Sequence, residues 1–375
     1  CRRLWAQYRA GTIDAAAIAA VTGRLAPTAG TCMVMGTAST MAAACETLGL
    51  TLPGGAAIPA VHGERYRQAE LSGMRAVTLA REGARASRFL TPAAFRNALR
   101  VLHCLGGSTN AVIHLTAVAR RCGIAVDLDE FDALGEETPV LVNLKPAGAH
   151  YMEHLHEAGG LPVLLREIAD LLDTSTPTVS GQTLAQIIEG AVEAKGQSAI
   201  RRRTDPVYAK GGLRVLRGNL APDGALIKES AATPELLRHV GRAVVFESVE
   251  DVVRRIDDPD LDIRADDVIV MRNAGPKGHP GMPEAGYVPI PKKLARQGVK
   301  DMVRISDARM SGTAFGTIVL HVAPEARVGG PLALVETGDR IALDVPARRL
   351  ELLVDEATLA ARRQRLVPYA VPEEA

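Results

Sequence analysis

The sequence predicts an α/β protein in two parts: a layered α/β domain on the N-terminal side, then a β-rich domain built as a barrel or a sandwich. Length, periodicity and a change of texture predict it. With 375 residues the chain outgrows one ordinary hydrophobic core, so two domains are the default. Apolar residues recur at helical spacing through the first half, whereas short strand-like runs dominate after residue 212. Between them "DTSTPTVSG" and "RRRTDPVYAKGG" are polar and turn-rich around one weak helix, and the expected domains are 1–205 and 206–375.

The elements follow in order. "CRRLWAQYRAG" opens the chain as the middle or end of a helix without an N-cap, so the chain is expected to have been cut or to be a fragment. "TASTMAAACETLGL" (37–50) and "HGERYRQAELSGMRAVTLAREG" (62–83) have helical spacing. "TPAAFRNALRVLHCLGG" (91–107) adds Thr91 as N-cap and Pro92 at the first helical position, where a missing N–H costs nothing. "STNAVIHLTAVARRCG" (108–123) is a helix capped by Ser or Thr and closed by Gly123. "TPVLVNL" (138–144) and "GLPVLL" (160–165) are buried strands or short helices, too short to separate by period. Helices alternating with such pieces give the layered α/β reading.

The strand-like runs of the second part are "LRVLRGNL", "GALIKES", "RAVVFES", "DVIVMRN", "MVRIS", "GTIVLHV", "LALVET" and "DRIALDVPARRLELLV". Pro222-Asp223-Gly224 is read as the turn between the first two. Seven or eight short strands in this space suit a barrel or sandwich, and "DEATLAARRQRL" closes the chain as a helix.

Composition narrows the function classes. The net charge of +1, from 44 basic against 43 acidic residues, leaves no electrostatic footprint for nucleic acid or an anionic membrane. No apolar run approaches the roughly 20 residues that span a bilayer, and none reads as a signal peptide, so the expected location is cytoplasmic. Aromatics make up only 3%, so Ala, Val, Leu and Ile must build the core. Five scattered cysteines (Cys1, Cys32, Cys45, Cys104, Cys122) form no C-x-x-C pair, which argues against a disulfide framework or a self-contained zinc site.

Four stretches could hold chemistry. Cys32 in "GTCMVMGTAST" (30–40) lies in a glycine-bounded loop before a helix, where the dipole and free N–H groups favour a thiolate that could ligate a metal or an iron–sulfur centre; a packed small residue is the plain alternative. In "LGGSTNAV" (105–112), Ser108, Thr109 and Asn110 with free N–H groups could hold a carboxylate or phosphate, although an ordinary N-cap also explains them. "RNAGPKGHPGMPEAG" (272–286) is a rigid, irregular loop with Lys277, His279 and Glu284, and a carboxylate there suits a hard cation such as Mg²⁺; a solvated surface loop reads the same way. "ISDARMSGTAFGT" (305–317) reads as strand, turn and strand, with Asp307, Arg309, Ser311 and Thr313 alternating with small residues. Ser311 has no local base and no G-x-S-x-G elbow. It could be an acyl-transfer nucleophile, a hydrogen-bond donor, a base activated by strong nearby positive charge, or simply a turn residue satisfying backbone groups.

Taken together, "GTCMVMGTASTMAAACETLGLTLPG", "LGGSTNAVIHLTAVAR", "TPVLVNLKPAG", "RGNLAPDGALIK", "GPKGHPGMPE" and "SDARMSGTAFGT" resemble, in order and over nearly the whole chain, the dihydroxy-acid/sugar-acid dehydratases. The resemblance implies a β-barrel-like, swivelling-type C-terminal domain after the α/β domain. It implies a hydro-lyase that converts a 2,3-dihydroxy carboxylate to a 2-keto-3-deoxy acid, using an iron–sulfur cluster, [2Fe–2S] in preference to [4Fe–4S], and Mg²⁺. By motif, Cys32 matches a cluster ligand, Glu284 the Mg²⁺-ligating carboxylate, and Ser311 the catalytic serine that takes the C2 proton as an alkoxide. Thr313 is expected to contact substrate, as are Ser108, Thr109 and Asn110. In the family the 3-hydroxyl leaves on iron while Mg²⁺ holds the carboxylate. "SDARMSGTAFGT" and "GTASTM", against the "SDGRFSGG" of the amino-acid-pathway members, are similar to pentonate and other aldonate dehydratases. A branched-chain dihydroxy acid or 6-phosphogluconate is the alternative substrate, and a homodimer or homotetramer is the expected assembly.

One departure qualifies these expectations. The family's two other cluster cysteines, and the Asp and carbamylated Lys ligands of Mg²⁺, lie N-terminal to the segment where this chain begins, and its C-terminal tail reads as shortened. These 375 residues alone are therefore expected to support neither metal and to be inactive. A serine hydrolase and a non-catalytic relative are the competing classes.

Overall fold

The computed structural model describes residues 2–26 and 28–367; Cys1 and the C-terminal end of the chain lie outside the described residues. The chain divides into two compact units. Residues 28–213 form one, and residues 2–26 group with 214–367 in the other. The domains expected from the sequence are 1–205 and 206–375. The helix Arg2–Arg9 belongs with the β unit because its Arg9 forks onto Asp257 at 3.0 and 2.5 Å and reaches the carbonyl of Ile290 at 2.9 Å.

The β unit is a closed eight-stranded barrel: β1 (Arg214–Gly218), β2 (Ala221–Ile227), β3 (Arg238–Phe246), β4 (Val268–Met271), β5 (Arg304–Ser306), β6 (Ile318–Ala323), β7 (Arg340–Asp344) and β8 (Arg349–Leu352), in the spatial order β1-β2-β6-β5-β4-β3-β7-β8. Strands β3, β4, β5 and β6 run parallel to one another, and the remaining pairs are antiparallel except the closing β8–β1 contact. Alternation decides which side chain faces where. Ala243 and Val245 on β3, with Val268 and Val270 on β4, enter the barrel core, whereas Val244, Phe246, Ile269 and Met271 pack outward against Val252, Ile256 and Leu294. Both faces of the parallel strands are thus covered, which is why "VIVM" reads as a continuous apolar run.

Two strand expectations shift. "LALVET" is a 3₁₀ turn, Pro331–Leu334, whose Leu332 and Leu334 fill the barrel core; Pro331 brings no N–H to a ladder. "DRIALDVPARRLELLV" is instead a hairpin of two strands, β7 and β8. The first hairpin turns at Asn219–Leu220, between paired Gly218 and Ala221, so Pro222-Asp223-Gly224 lies inside β2. Asn219 fixes that turn by exchanging hydrogen bonds with the backbone of Leu352 at 2.9 and 2.7 Å.

The other unit is built around the helix Pro92–Cys104, capped by Thr91 Oγ1 on the Ala94 amide at 3.2 Å and buried on nearly every side. Helices Thr37–Thr47, Asn110–Arg121 and Leu128–Glu137 pack around it. The expected layered sheet is not there: among the described residues 28–213 hold no regular strand. Residues 138–144 run extended but meet Tyr208, Ile200 and His150 one residue at a time, in isolated bridges. The "GLPVLL" run is a helix, Gly160–Glu167.

Candidate active site

In the barrel unit, the parallel strands end in register: Phe246 pairs with Met271, and Met271 with Ser306. The loops that leave β4 and β5 therefore start side by side at the carboxyl ends of the strands, where parallel sheets place their ligands. Asp307 opens the second loop and clamps the first. Its carboxylate accepts N–H bonds from Asn273 at 3.2 Å, Ala274 at 3.0 Å and Ala326 at 3.0 Å. Burial pushes the Asp307 pKa up, against the pull of those three donors. Glu325 does the same for the next turn, accepting from Lys277 at 2.9 Å and Gly278 at 3.2 Å. A Cβ on Gly275 would stand 2.2 Å from the Glu325 carboxylate, so this glycine lets the cradle close.

The loop 307–317 does not reverse the chain. Strands β5 and β6 are parallel, so it carries the chain back to the other end of the barrel before β6 begins. Ser311 lies midway, part-buried. Its Oγ is 3.0 Å from Thr313 Oγ1 and receives the Thr313 N–H at 3.4 Å. Arg2 Nε donates to Thr313 Oγ1 at 3.4 Å, and its guanidinium sits 4.7 Å over the Tyr287 ring. Arg309 joins this loop to the Gly/Pro loop: Nε donates to the carbonyl of Met282, Nη1 lies 3.4 Å from Glu284 Oε1, and the Arg309 carbonyl accepts from Gly286 N at 2.9 Å. The barrel unit thus brings Ser311, Thr313 and Glu284 onto two adjoining loops. Nothing in the sequence singled out Arg2, Lys228, Tyr287 or Glu325 for this region, and Asp307 and Arg309 were noted only as part of the alternation; their partners are 19 to 311 residues away along the chain.

The unit 28–213 holds the remaining candidates. Cys32 is exposed in an irregular stretch that leads to Gly36, the N-cap of the helix Thr37–Thr47. Ser108, Thr109 and Asn110 are buried. Ser108 Oγ meets Thr37 Oγ1 at 2.9 Å, Asn110 Nδ2 donates to the same Thr37 Oγ1 at 3.0 Å, and the Ser108 N–H reaches Thr40 Oγ1 at 3.2 Å. These groups lace the start of one helix onto another. The expected cap is modified too: Thr109 stands at the N-cap without a side-chain bond, and Ser108 Oγ takes the Asn110 N–H at 3.2 Å.

Among the described residues, Cys32 and Glu284 each stand outside any group of three metal-capable side chains. Of the other thiols, burial drives Cys104 up to about 12 and raises Cys45, so neither is a ready thiolate. The three metal-capable side chains that do gather among the described residues, His62, Glu64 and His156, include neither Cys32 nor Glu284. Among the described residues, therefore, neither an iron–sulfur nor a Mg²⁺ coordination sphere is complete. Among the described residues no helix is long and apolar enough to cross a membrane.

Comparison with known proteins gives the class. Residues 1–187 match the family model of the dihydroxy-acid/6-phosphogluconate dehydratase N-terminal domain, and residues 198–374 that of its C-terminal domain. The chain is 51% identical over 330 residues to L-arabonate dehydratase of Azospirillum brasilense, covering 87% of this chain and 56% of that protein. It is 47% identical over 370 residues to 6-deoxy-6-sulfo-D-gluconate dehydratase of Pseudomonas putida, covering 98% and 64%. Against dihydroxy-acid dehydratase of Syntrophobacter fumaroxidans the identity is 43% over 360 residues, covering 96% and 64%. The chain belongs to the dihydroxy-acid/6-phosphogluconate dehydratase family, and it spans less than two thirds of the length of these relatives.

Proposed function

We propose that this chain is the serine-bearing part of a hydro-lyase that dehydrates a sugar acid, a pentonate in the first instance, to its 2-keto-3-deoxy acid. The observation that carries it is the Arg309 link, which ties the Ser311–Thr313 loop to the Glu284 loop, the two loops that leave the carboxyl ends of the parallel strands β5 and β4. Greater identity to an arabonate dehydratase than to a dihydroxy-acid dehydratase supports the sugar-acid substrate.

In this reading Ser311, as an alkoxide, removes the C2 proton of a 2,3-dihydroxy carboxylate. The C2–C3 double bond forms as the C3–O bond breaks, the departing hydroxide takes up the proton now on Ser311 to leave as water and restore the alkoxide, and the enol tautomerises to the ketone. Thr313 hydrogen-bonds the serine and contacts substrate. Ser108 and Asn110 fix the helix that follows Cys32 through Thr37 and Thr40, and their contact with substrate, with that of Thr109, stays part of this reading. Cys32 and Glu284 are this chain's contributions to a cluster and to a Mg²⁺ site, one donor each, and we propose that these 375 residues alone hold neither and are inactive.

The test uses the longest reading frame that contains these residues, loaded anaerobically with iron, sulfide and Mg²⁺. L-Arabinonate should be converted to a 2-keto-3-deoxy acid, and S311A should lower kcat by about 10²- to 10⁴-fold. A preference for a branched-chain dihydroxy acid or 6-phosphogluconate would move the substrate assignment within the family. No turnover of any of the three would leave a non-catalytic relative, and Ser311 labelled by phosphonylating reagents without metal would indicate a serine hydrolase.

A further inference from the structure

Strand β2 runs apolar into Lys228, a residue out of place there. Its side chain is 3% exposed, and burial alone drives its amine pKa down from 10.5 to about 7. Buried lysines ordinarily sit against a carboxylate. The carboxylates on the elements packed around it are committed elsewhere: Glu229 to Arg214 at 2.6 Å, and Asp301 to Arg304 and to the hydroxyls of Thr233 at 2.6 Å and Thr317 at 2.9 Å. Lys228 Nζ donates instead to the carbonyl oxygen of Gly312 at 3.1 Å. A methionine would fill the space without the desolvation cost of an amine, so the bond to Gly312 is what the lysine adds.

That carbonyl belongs to the peptide joining Gly312 to Thr313, which is trans. In a trans peptide C=O and N–H point in opposite directions. The N–H of this same peptide is the one that reaches back to Ser311 Oγ at 3.4 Å, beside Thr313 Oγ1 at 3.0 Å. One peptide unit is therefore gripped at its oxygen by a buried amine and presents its hydrogen to the serine. A hydrogen bond to the oxygen also strengthens the N–H as a donor.

We propose that Lys228 is a positioning residue for Ser311: it holds and polarises the Gly312–Thr313 peptide so that the Thr313 N–H stabilises negative charge on the serine oxygen. This rests on Ser311 being the base and adds a residue one peptide removed from it. The charged and titratable groups on the strands and turns around Lys228 include the ion pairs Arg214–Glu229 and Arg304–Asp301, and His321 on β6, which pairs with β2. The loop itself carries Asp307, whose carboxyl pKa burial pushes up, and Arg309, 3.4 Å from Glu284, while Lys228 is the charged group bonded to the Gly312–Thr313 peptide.

K228M, K228Q and S311A in the metal-loaded full-length protein test it. In K228M, kcat should fall about 10- to 100-fold with KM little changed, and the limb of the kcat–pH profile that reports ionisation of the base should move to higher pH. K228Q keeps an N–H donor for Gly312 and should recover part of kcat. Independently of activity, the Thr313 amide should exchange hydrogen faster in K228M while the amides of β3 and β4 stay protected. If K228M does not fold, K228Q carries the same comparison. The proposal is overturned if a folded variant keeps the parent pH profile and the parent exchange rate at Thr313 while S311A is dead. Activity surviving in S311A would overturn the serine reading and this inference together, so the two failures are told apart.

Discussion

Glu46 ends the helix Thr37–Thr47 with its carboxylate on the amides of Gly54 and Ala56, each at 2.7 Å. Burial outweighs those two bonds and raises its pKa from 4.5 to about 7. Between these values the folded chain keeps a proton that the unfolded chain has lost. This group's contribution to stability is therefore full below pH 4.5 and is lost as pH rises through about 7, on the order of 3 kcal/mol over the interval. Urea midpoints measured across that range should decline less with pH in E46Q than in the parent; parallel curves would show that Glu46 ionises normally. Gly316 is constrained by space. It has φ +115°, and a Cβ there would lie 2.1 Å from Arg304 Nη2, inside the buried Arg304–Asp301 pair. G316A should lower the stability of the barrel by roughly 1–3 kcal/mol, read from the chemical-denaturation midpoint. Neither residue stood out as sequence, since an acidic residue late in a helix and a glycine in a turn are ordinary.

At the level of elements, the two loops of the candidate site depend on Asp307. Asparagine has one acceptor oxygen where the carboxylate has two, so D307N should leave at least one of the amides of Asn273, Ala274 and Ala326 without its partner. The loop 272–286 should loosen. Trypsin cleavage after the exposed Lys277 should accelerate several-fold relative to the parent, while an unchanged rate would show that Glu325 suffices to hold the loop. The helices around 63–81 and 92–104 and the runs that become β3 to β6 were legible, because their periodicity is local and strong. The layered sheet expected within 28–213 was not, because an apolar heptapeptide such as "TPVLVNL" needs a continuous partner to become a ladder, and its neighbours supply single bridges. The 307–317 stretch looked like a reversal because its length suits a turn; only pairing with β6 shows that it returns the chain for a parallel strand.

For the whole molecule, the donor set predicts its metal content. Cys32 and Glu284 belong to no group of three metal-capable side chains among the described residues. After anaerobic reconstitution the 375-residue chain should retain no stoichiometric iron or sulfide, as measured by elemental analysis and by the absence of visible charge-transfer absorption; a full cluster on this chain would overturn that. The sequence by itself determined the family, the order of the motifs and the presence of a β-rich second unit, because short motifs and alternating patterns are properties of neighbouring residues. Serine, threonine and glutamate could be named from such motifs. Tertiary structure alone decided that residues 2–26 join the barrel unit and that Arg309 reaches the Glu284 loop. It also decided that a lysine at the end of β2 grips the peptide beside Ser311. Those contacts join segments far apart in the chain, and strand register and burial fix them, which no local pattern encodes.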